Sequence, residues 1–419
     1  MKLRLRSGIG GPQAALRWSY PVMPQAGKTP SWRDSLRNGT MARPHIHFGA
    51  GEFRGLPRIL AEHDVHNILL VSGANACKAS GVEALLGSHS GGLQIHRFAD
   101  FSSNPAIDQV EAAVRIVREK RCDAVVAIGG GTAIDIGKAA ATLALQERAA
   151  LDCLREPRPL PSRQCLLVAA PTTAGTGSEV TSFSVIYVEG RKHSLDDQAL
   201  LPDHAIVDPE LSVGLPPRTA ASAALDAISQ AIESLWSVRS TDASRDHARK
   251  AAEIGLRHIK EFCRHPQMEN RTAMAQAALL AGQAINVTRT TAPHAVSYAL
   301  TTLFNIPHGH SCALTLPAFL VYNAQVSESD VLDSRGVPWV RQRIKEVLEL
   351  LHADSAEEGR TQLLRVVEET GLESRLSSLG LEVTDIQRIL NFGFDWNRAG
   401  NNPRRLTETG LREVLNLAF

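Results

Sequence analysis

Two histidines, His294 and His308, stand fourteen positions apart in NVTRTTAPHAVSYALTTLFNIPHGHSCALTLP, with the pair Ile306-Pro307 between them. On one unbroken helix their imidazoles would share a face but lie about 21 Å apart, too far to grip one ion. Pro307 forbids that helix. It biases its predecessor toward extended backbone, so the chain can turn and bring His308 back toward His294. Upstream, LDAISQAIES sets Asp226 and Gln230 on one helix face, one turn apart. Two imidazole nitrogens, a carboxylate oxygen and an amide oxygen form a ligand set suited to a divalent transition metal. Such an ion can polarise a carbonyl as a Lewis acid.

The elements that must position these side chains fall into two groups. From Pro44 to about Val213, the apolar runs HNILLVSG, CDAVVAIGGG and CLLVAAPTT alternate with helically spaced stretches such as EALLGSHSGG and QVEAAVRIVREKR. Each run ends in Gly, Ser or Thr, the pattern of buried parallel strands feeding loops. Residues 41–214 therefore read as a doubly wound, Rossmann-like α/β domain with its ligand crevice at the carboxyl ends of the strands. Leu215-Pro216-Pro217 reads as a hinge. Beyond it, residues 215–419 carry only helical patterns, from AASAALDAISQAIESLWS to ETGLREVLNLA, so the metal ligands belong to an all-α domain. The cleft between the two domains is the expected place for chemistry.

Two loops point to a nucleotide. Gly129-Gly130-Gly131-Thr132 follows the strand CDAVVAI and opens the helix TAIDIGKAAATLAL, which carries Asp135 in its first turns. Bare backbone there can approach a pyrophosphate at the positive end of a helix. Alone, this is equally a tight strand-to-helix turn. The second loop, Pro171 to Ser178, also follows a strand and offers the hydroxyls of Thr172, Thr173, Thr176 and Ser178.

These motifs, GGGTAIDIGKAAA, PTTAGTGSEVTSF, LDAISQAIES, the histidine segment and the late NNPRRLTETGL, resemble in order those of the iron-dependent (group III) alcohol dehydrogenases. The resemblance runs from Met41 to Phe419 and implies a dehydroquinate synthase-like architecture. It also implies a nicotinamide coenzyme and a metal held through Asp226, His294 and His308. Gln230 occupies a ligand position where most of the family has histidine, and Tyr298 replaces a further histidine. Glutamine for histidine hardens the site toward oxygen-loving ions without choosing between iron(II) and zinc. DAISQAIESLWSV, TRTTAPHAVSYALT and RKHSL are most similar to the phosphonoacetaldehyde reductase branch.

The coenzyme is decided in VSGANACKASG. NAD-preferring relatives often carry an aspartate after this strand, where it binds the ribose and repels a 2′-phosphate. This chain has Gly73 there, no carboxylate before Glu83, and Ser72, Asn75 and Lys78 nearby. NADPH is favoured, with NADH as the alternative. Lys192 matches a lysine that the resemblance places near the coenzyme ribose. Arg289, five residues before His294, and the Lys192-His193 pair supply the cations that a doubly negative substrate group would require. An ordinary surface ion pair is the other reading of Arg289. Tyr298 and His310 are candidates, by position, to donate a proton to the nascent alcohol.

With 45 basic and 44 acidic side chains in 419 residues, net charge +1, no global field directs the chain to nucleic acid or anionic membranes. Six scattered cysteines without CxxC spacing and the lack of a long apolar run fit a reduced, cytoplasmic protein, with a homodimer allowed. Residues 1–40 are basic, aperiodic and rich in Gly, Pro and Ser, and read as a disordered or non-native extension. The expected reaction is reduction of phosphonoacetaldehyde to 2-hydroxyethylphosphonate. Alternatives are another short or sugar aldehyde, maleylacetate, a lyase on the same architecture, or a binding protein that has lost a ligand.

Overall fold

The computed structural model describes residues 44–87, 92–156, 158–161, 163–392 and 399–419. The expectation for residues 1–40 lies outside them. Six parallel strands, β1 (His45–Phe48), β2 (Asn67–Val71), β3 (Gln94–Phe98), β4 (Ala124–Gly129), β5 (Leu166–Pro171) and β8 (His204–Val207), form one sheet in the order β1-β8-β5-β4-β2-β3. The three apolar runs singled out in the sequence are β2, β4 and β5, which with β8 form the interior of the sheet.

Helices α1 (Leu56–Glu62), α2 (Ala74–Ser80), α3 (Val82–Gly87), α4 (Ile107–Glu119), α5 (Gly131–Leu143) and α6 (Ala150–Arg155) connect the strands. Alternate strand residues face opposite ways. Ile68, Leu70, Val126, Ile128 and Val168 pack with Leu56, Ile59 and Leu60 of α1. Leu69, Val125, Ala127 and Leu167 pack with Val110, Val114, Ile134 and Ile136 of α4 and α5 on the other face. The sheet is thus covered twice, as continuous apolar strands require. Gly137 lets α5 settle onto it, since a Cβ there would stand 2.6 Å from that of Ala127.

Strands β6 (Phe183–Val188) and β7 (Arg191–Asp196) form a separate antiparallel hairpin. Its two-residue turn, Glu189-Gly190, takes positive φ at both positions, as the twist of a tight hairpin favours. From Pro217 onward the described chain is helical, with α7 (Pro217–Trp236), α8 (Asp242–Arg264), α9 (Met268–Thr288), α10 (Ala292–Phe304), α11 (His308–Ala324), α12 (Val337–Leu350), α13 (Ala356–Glu369), α14 (Asp385–Asn391) and α15 (Glu408–Ala418). Pro216 and Pro217 mark the start of α7, where a missing N–H costs nothing. Among the described residues no helix is long and apolar enough to cross a membrane.

Candidate metal centre and dinucleotide crevice

The reversal between the two histidines is built from three residues. Helix α10 ends at Asn305, whose left-handed backbone (φ 55°, ψ 29°) turns the chain, and Pro307 caps the start of α11. The rings of His294 and His308 then meet edge to face with centroids 5.3 Å apart. Helix α7 supplies the opposing wall with Asp226, Gln230 and Glu233 on one face. Gly309 permits the contact between the two helices: a Cβ there would lie 2.0 Å from the Ser222 carbonyl oxygen and 2.7 Å from the Asp226 Cβ.

His294 is almost wholly buried between two carboxylates, its Nε2 3.2 Å from Asp226 Oδ1 and its Nδ1 in a short contact with Glu233 Oε1. Glu233 is itself fixed, its Oε2 accepting from the Thr291 amide at 2.6 Å and hydroxyl at 2.8 Å. Burial alone would lower the pKa of His294, but Cys312, Glu233 and Asp226 around it raise the value well above that of an ordinary imidazole. Burial likewise works to raise Asp226, yet the His294 hydrogen bond and the charges of His308 and Lys192 hold it below the usual carboxylate value. Two converging buried carboxylates call for a cation. Ser297 donates to the His294 carbonyl at 2.7 Å, so its oxygen accepts from His308 Nδ1 at 3.2 Å and leaves His308 Nε2 as a donor to metal.

One ligand atom each from Asp226, His294, His308 and Cys312 lies within 4.8 Å of the others, the one such group among the described residues. Gln230 is buried on the same face of α7, its Nε2 at 3.5 Å from the Thr176 carbonyl and its Oε1 without any hydrogen-bond partner. An orphaned buried amide oxygen one helical turn from the Asp226 carboxylate of this group fits a divalent ion.

The expected dinucleotide loops lie side by side. The Thr172 amide donates to the Gly129 carbonyl at 2.9 Å, and a Cβ on Gly131 would stand 2.8 Å from Thr176 Cγ2. Gly129 has φ 155°, and Gly130 caps α5 with no side chain over its free N–H groups. Strand order diverges between β2 and β4, so Gly73 and Gly129–Gly131 flank the switch point where such sheets bind ligands. The second loop is also pressed against the helical half. A Cβ on Gly175 would lie 2.8 Å from the Ala223 carbonyl oxygen, and one on Gly177 would lie 2.4 Å from Gly282 Cα.

Several expected site residues have other partners. Ser178 Oγ donates to Asp135 Oδ1 at 2.6 Å, and buried Lys138 donates to Ser178 Oγ, Thr181 Oγ1 and the Phe183 carbonyl at 2.8–2.9 Å. Asp135 and Ser178 thereby tie the second loop to α5. The Thr132 hydroxyl donates to Ser103 O at 2.6 Å, leaving its amide at the helix start. Arg289 caps the carboxyl end of α9, pairs with Asp196 at 2.7 Å and lies over the Phe183 ring. The ion-pair reading describes it. His310 is tied to the Glu373 carbonyl at 2.6 Å, so of the two proton-donor candidates only Tyr298 stacks on His308.

Lys192, by contrast, holds its Nζ 4.0 Å from the centre of the Tyr298 ring, and its charge is among those that hold Asp226 low. Glu83, distant from Gly73 in sequence, lines one pocket with Ser72, Lys78 and Arg97, where Arg97 engages it at 2.5 Å. Asn75 is exposed in the first turn of α2. The sequence reading passed over Glu233, Ser297, Lys138 and Cys312. Glu233 and Cys312 were legible as helical neighbours of Gln230 and His308, whereas Ser297 and Lys138 acquire meaning only through distant partners.

Residues 44–209 match the family model described as iron-containing alcohol dehydrogenase, and residues 220–419 match that of the Fe-containing alcohol dehydrogenase family, C-terminal. The phosphonoacetaldehyde reductase of Streptomyces viridochromogenes is 34% identical over 322 residues, 74% of this chain and 79% of that protein. Long-chain-alcohol dehydrogenase 1 of Geobacillus thermodenitrificans is 30% identical over 332 residues, 78% and 83% of the two chains. The crystal structure of sulfoacetaldehyde reductase from Bifidobacterium kashiwanohense in complex with NAD+ superposes with a TM-score of 0.80 at 29% identity, covering 90% of this chain and 97% of that one.

Proposed function

We propose that this chain, which belongs to the iron-containing alcohol dehydrogenase family, reduces phosphonoacetaldehyde to 2-hydroxyethylphosphonate with NADPH. The family fixes the class, an alcohol dehydrogenase or aldehyde reductase using a nicotinamide dinucleotide. The substrate rests on one observation above the others: Lys192 brings an ammonium over the Tyr298 ring, which itself stacks on the candidate ligand His308. The names of two relatives support it, since phosphonoacetaldehyde and sulfoacetaldehyde are both two-carbon aldehydes bearing a strong acid group.

When bound, a divalent ion supplies Lewis acidity toward the carbonyl oxygen and the nicotinamide supplies the hydride. Asp226, Gln230, His294 and His308 would hold the ion, and iron(II) and zinc both suit these donors. Glu233 orients His294 through Nδ1, and Ser297 fixes the tautomer of His308. The Gly129–Gly131 turn presents bare amides to the pyrophosphate. Lys192 would pair with the substrate anion, so that binding energy at one end orients the carbonyl at the other.

A substrate panel tests this reading. Phosphonoacetaldehyde should exceed propanal in kcat/KM, with sulfoacetaldehyde as the arm that distinguishes phosphonate from sulfonate. Lys192→Ala should cost phosphonoacetaldehyde about 10- to 100-fold, the worth of a charge-assisted hydrogen bond of about 1.5–3 kcal/mol, while Arg289→Ala leaves the preference in place. An equal loss for propanal would assign Lys192 to the coenzyme. Comparable wild-type efficiencies for phosphonoacetaldehyde and propanal would reject the substrate.

Coenzyme choice turns on the Gly73 pocket. In the pocket beside it Arg97 pairs with Glu83, which would leave Lys78 as the net charge available to a 2′-phosphate. Gly73 has an extended backbone at the start of α2, and a Cβ there would find nothing nearer than Phe101 Cζ at 3.9 Å. Gly73→Asp therefore adds a carboxylate without steric cost, and the NADPH-to-NADH efficiency ratio should fall about tenfold or more, a difference of about 1.4 kcal/mol. An unchanged ratio would remove this loop from coenzyme discrimination.

A further inference from the structure

Replacing an imidazole by the Gln230 amide weakens the donor set on α7, and the opposite helix offers a compensating group. Cys312 follows His308 by one helical turn on the same face of α11 and is fully buried. Its Sγ and the ligand atoms of Asp226, His294 and His308 all lie within 4.8 Å of one another. One turn from Asp226 on the same face of α7, the buried Gln230 Oε1 lacks a hydrogen-bond partner among the described residues, an independent sign of a cation site there. We infer that Cys312 is a sulfur ligand of this centre, so that the ion is gripped by Asp226, His294, His308 and Cys312, with Gln230 as an additional oxygen donor.

This inference rests on the metal-dependent reading above. Binding replaces the Cys312 S–H bond with a sulfur–metal bond, and the proton leaves to solvent. A thiolate is a soft donor, so it reverses the hardening expected from glutamine alone and favours zinc or iron over magnesium or manganese. It also explains why a cysteine sits at a position where an aliphatic side chain would fill the same space without a polarisable atom.

X-ray absorption on the zinc-loaded full chain should show one sulfur scatterer at about 2.3 Å among nitrogen and oxygen ligands near 2.0–2.2 Å. The cobalt(II)-substituted protein should show a near-ultraviolet sulfur-to-cobalt charge-transfer band. Cys312→Ser should lose both signals and hold zinc at least about tenfold more weakly, whereas Cys263→Ser, on α8, should keep them. Bound zinc with only nitrogen and oxygen neighbours in the wild-type chain would overturn the inference while leaving the metalloenzyme intact. A chain that takes up neither zinc nor iron would overturn the metalloenzyme reading and the sulfur ligand together.

Discussion

His294→Ala should strip the centre of its metal and lower kcat/KM for aldehyde reduction by at least about 10³-fold, since Lewis-acid stabilisation is worth several kcal/mol and each 1.36 kcal/mol is tenfold. The imidazole does two things at once. It offers Nε2 to the site and satisfies the Glu233 carboxylate through Nδ1. Its removal leaves Asp226 and Glu233 facing one another in the interior, and breaking a buried charge pair from one side costs about 3–5 kcal/mol. Bulk metal analysis, coenzyme absorbance and a denaturant midpoint should therefore all change together. A variant with wild-type metal content and turnover would remove His294 from the chemistry.

The second large effect is steric. Gly309→Ala places a methyl 2.0 Å from the backbone oxygen of Ser222 and 2.7 Å from Asp226 Cβ, and backbone cannot step aside as a flexible side chain can. The start of α11 must move away from α7, carrying His308 with it. The stability loss should reach or exceed the upper end of the about 1–3 kcal/mol that overpacking typically costs. Metal affinity should fall in parallel. Gly87→Ala serves as the comparison, because among the described residues nothing lies within 4 Å of a Cβ there. Equal denaturant midpoints for the two variants would mean that the helices do not meet this closely.

What the sequence revealed and what it hid have physical causes. The interior strands β2, β4 and β5 are buried on both faces, so their apolar runs are unbroken. The edge strands β1 and β3, as HIHF and QIHRF, are interrupted by polar residues, and β8, though interior and buried, is only the four residues HAIV, so none of the three stands out in the sequence. Neither does most of the hairpin, whose second strand RKHSLD is mainly polar. In the centre, Asp226 with Gln230 and His294 with His308 were legible because helical period and one proline decide which side chains can meet. The partners of Arg289 and Asp135 were not legible, because a charge chooses its partner in three dimensions. Asp196 lies 93 residues from Arg289, and Ser178 lies 43 from Asp135. Cys312 shares the period that betrayed the histidines, but a buried thiol reads as packing until its neighbours are known.

The contacts of Gly175 and Gly177 with Ala223 and Gly282 bear on how the protein could be redesigned. At Gly177 the loop's backbone meets that of Gly282 on α9 with no room for any side chain, and at Gly175 the same loop meets α7, the helix that carries Asp226 and Gln230. The spacing between this loop and the helices behind it is therefore set by main chain and not by what decorates it. If Lys192 pairs with the substrate anion as proposed, a library that varies Lys192, Tyr298 and their neighbours should change which aldehyde is accepted without disturbing that spacing. Variation at these two glycines would instead spoil every substrate alike, which makes them the positions to hold fixed when specificity is the target.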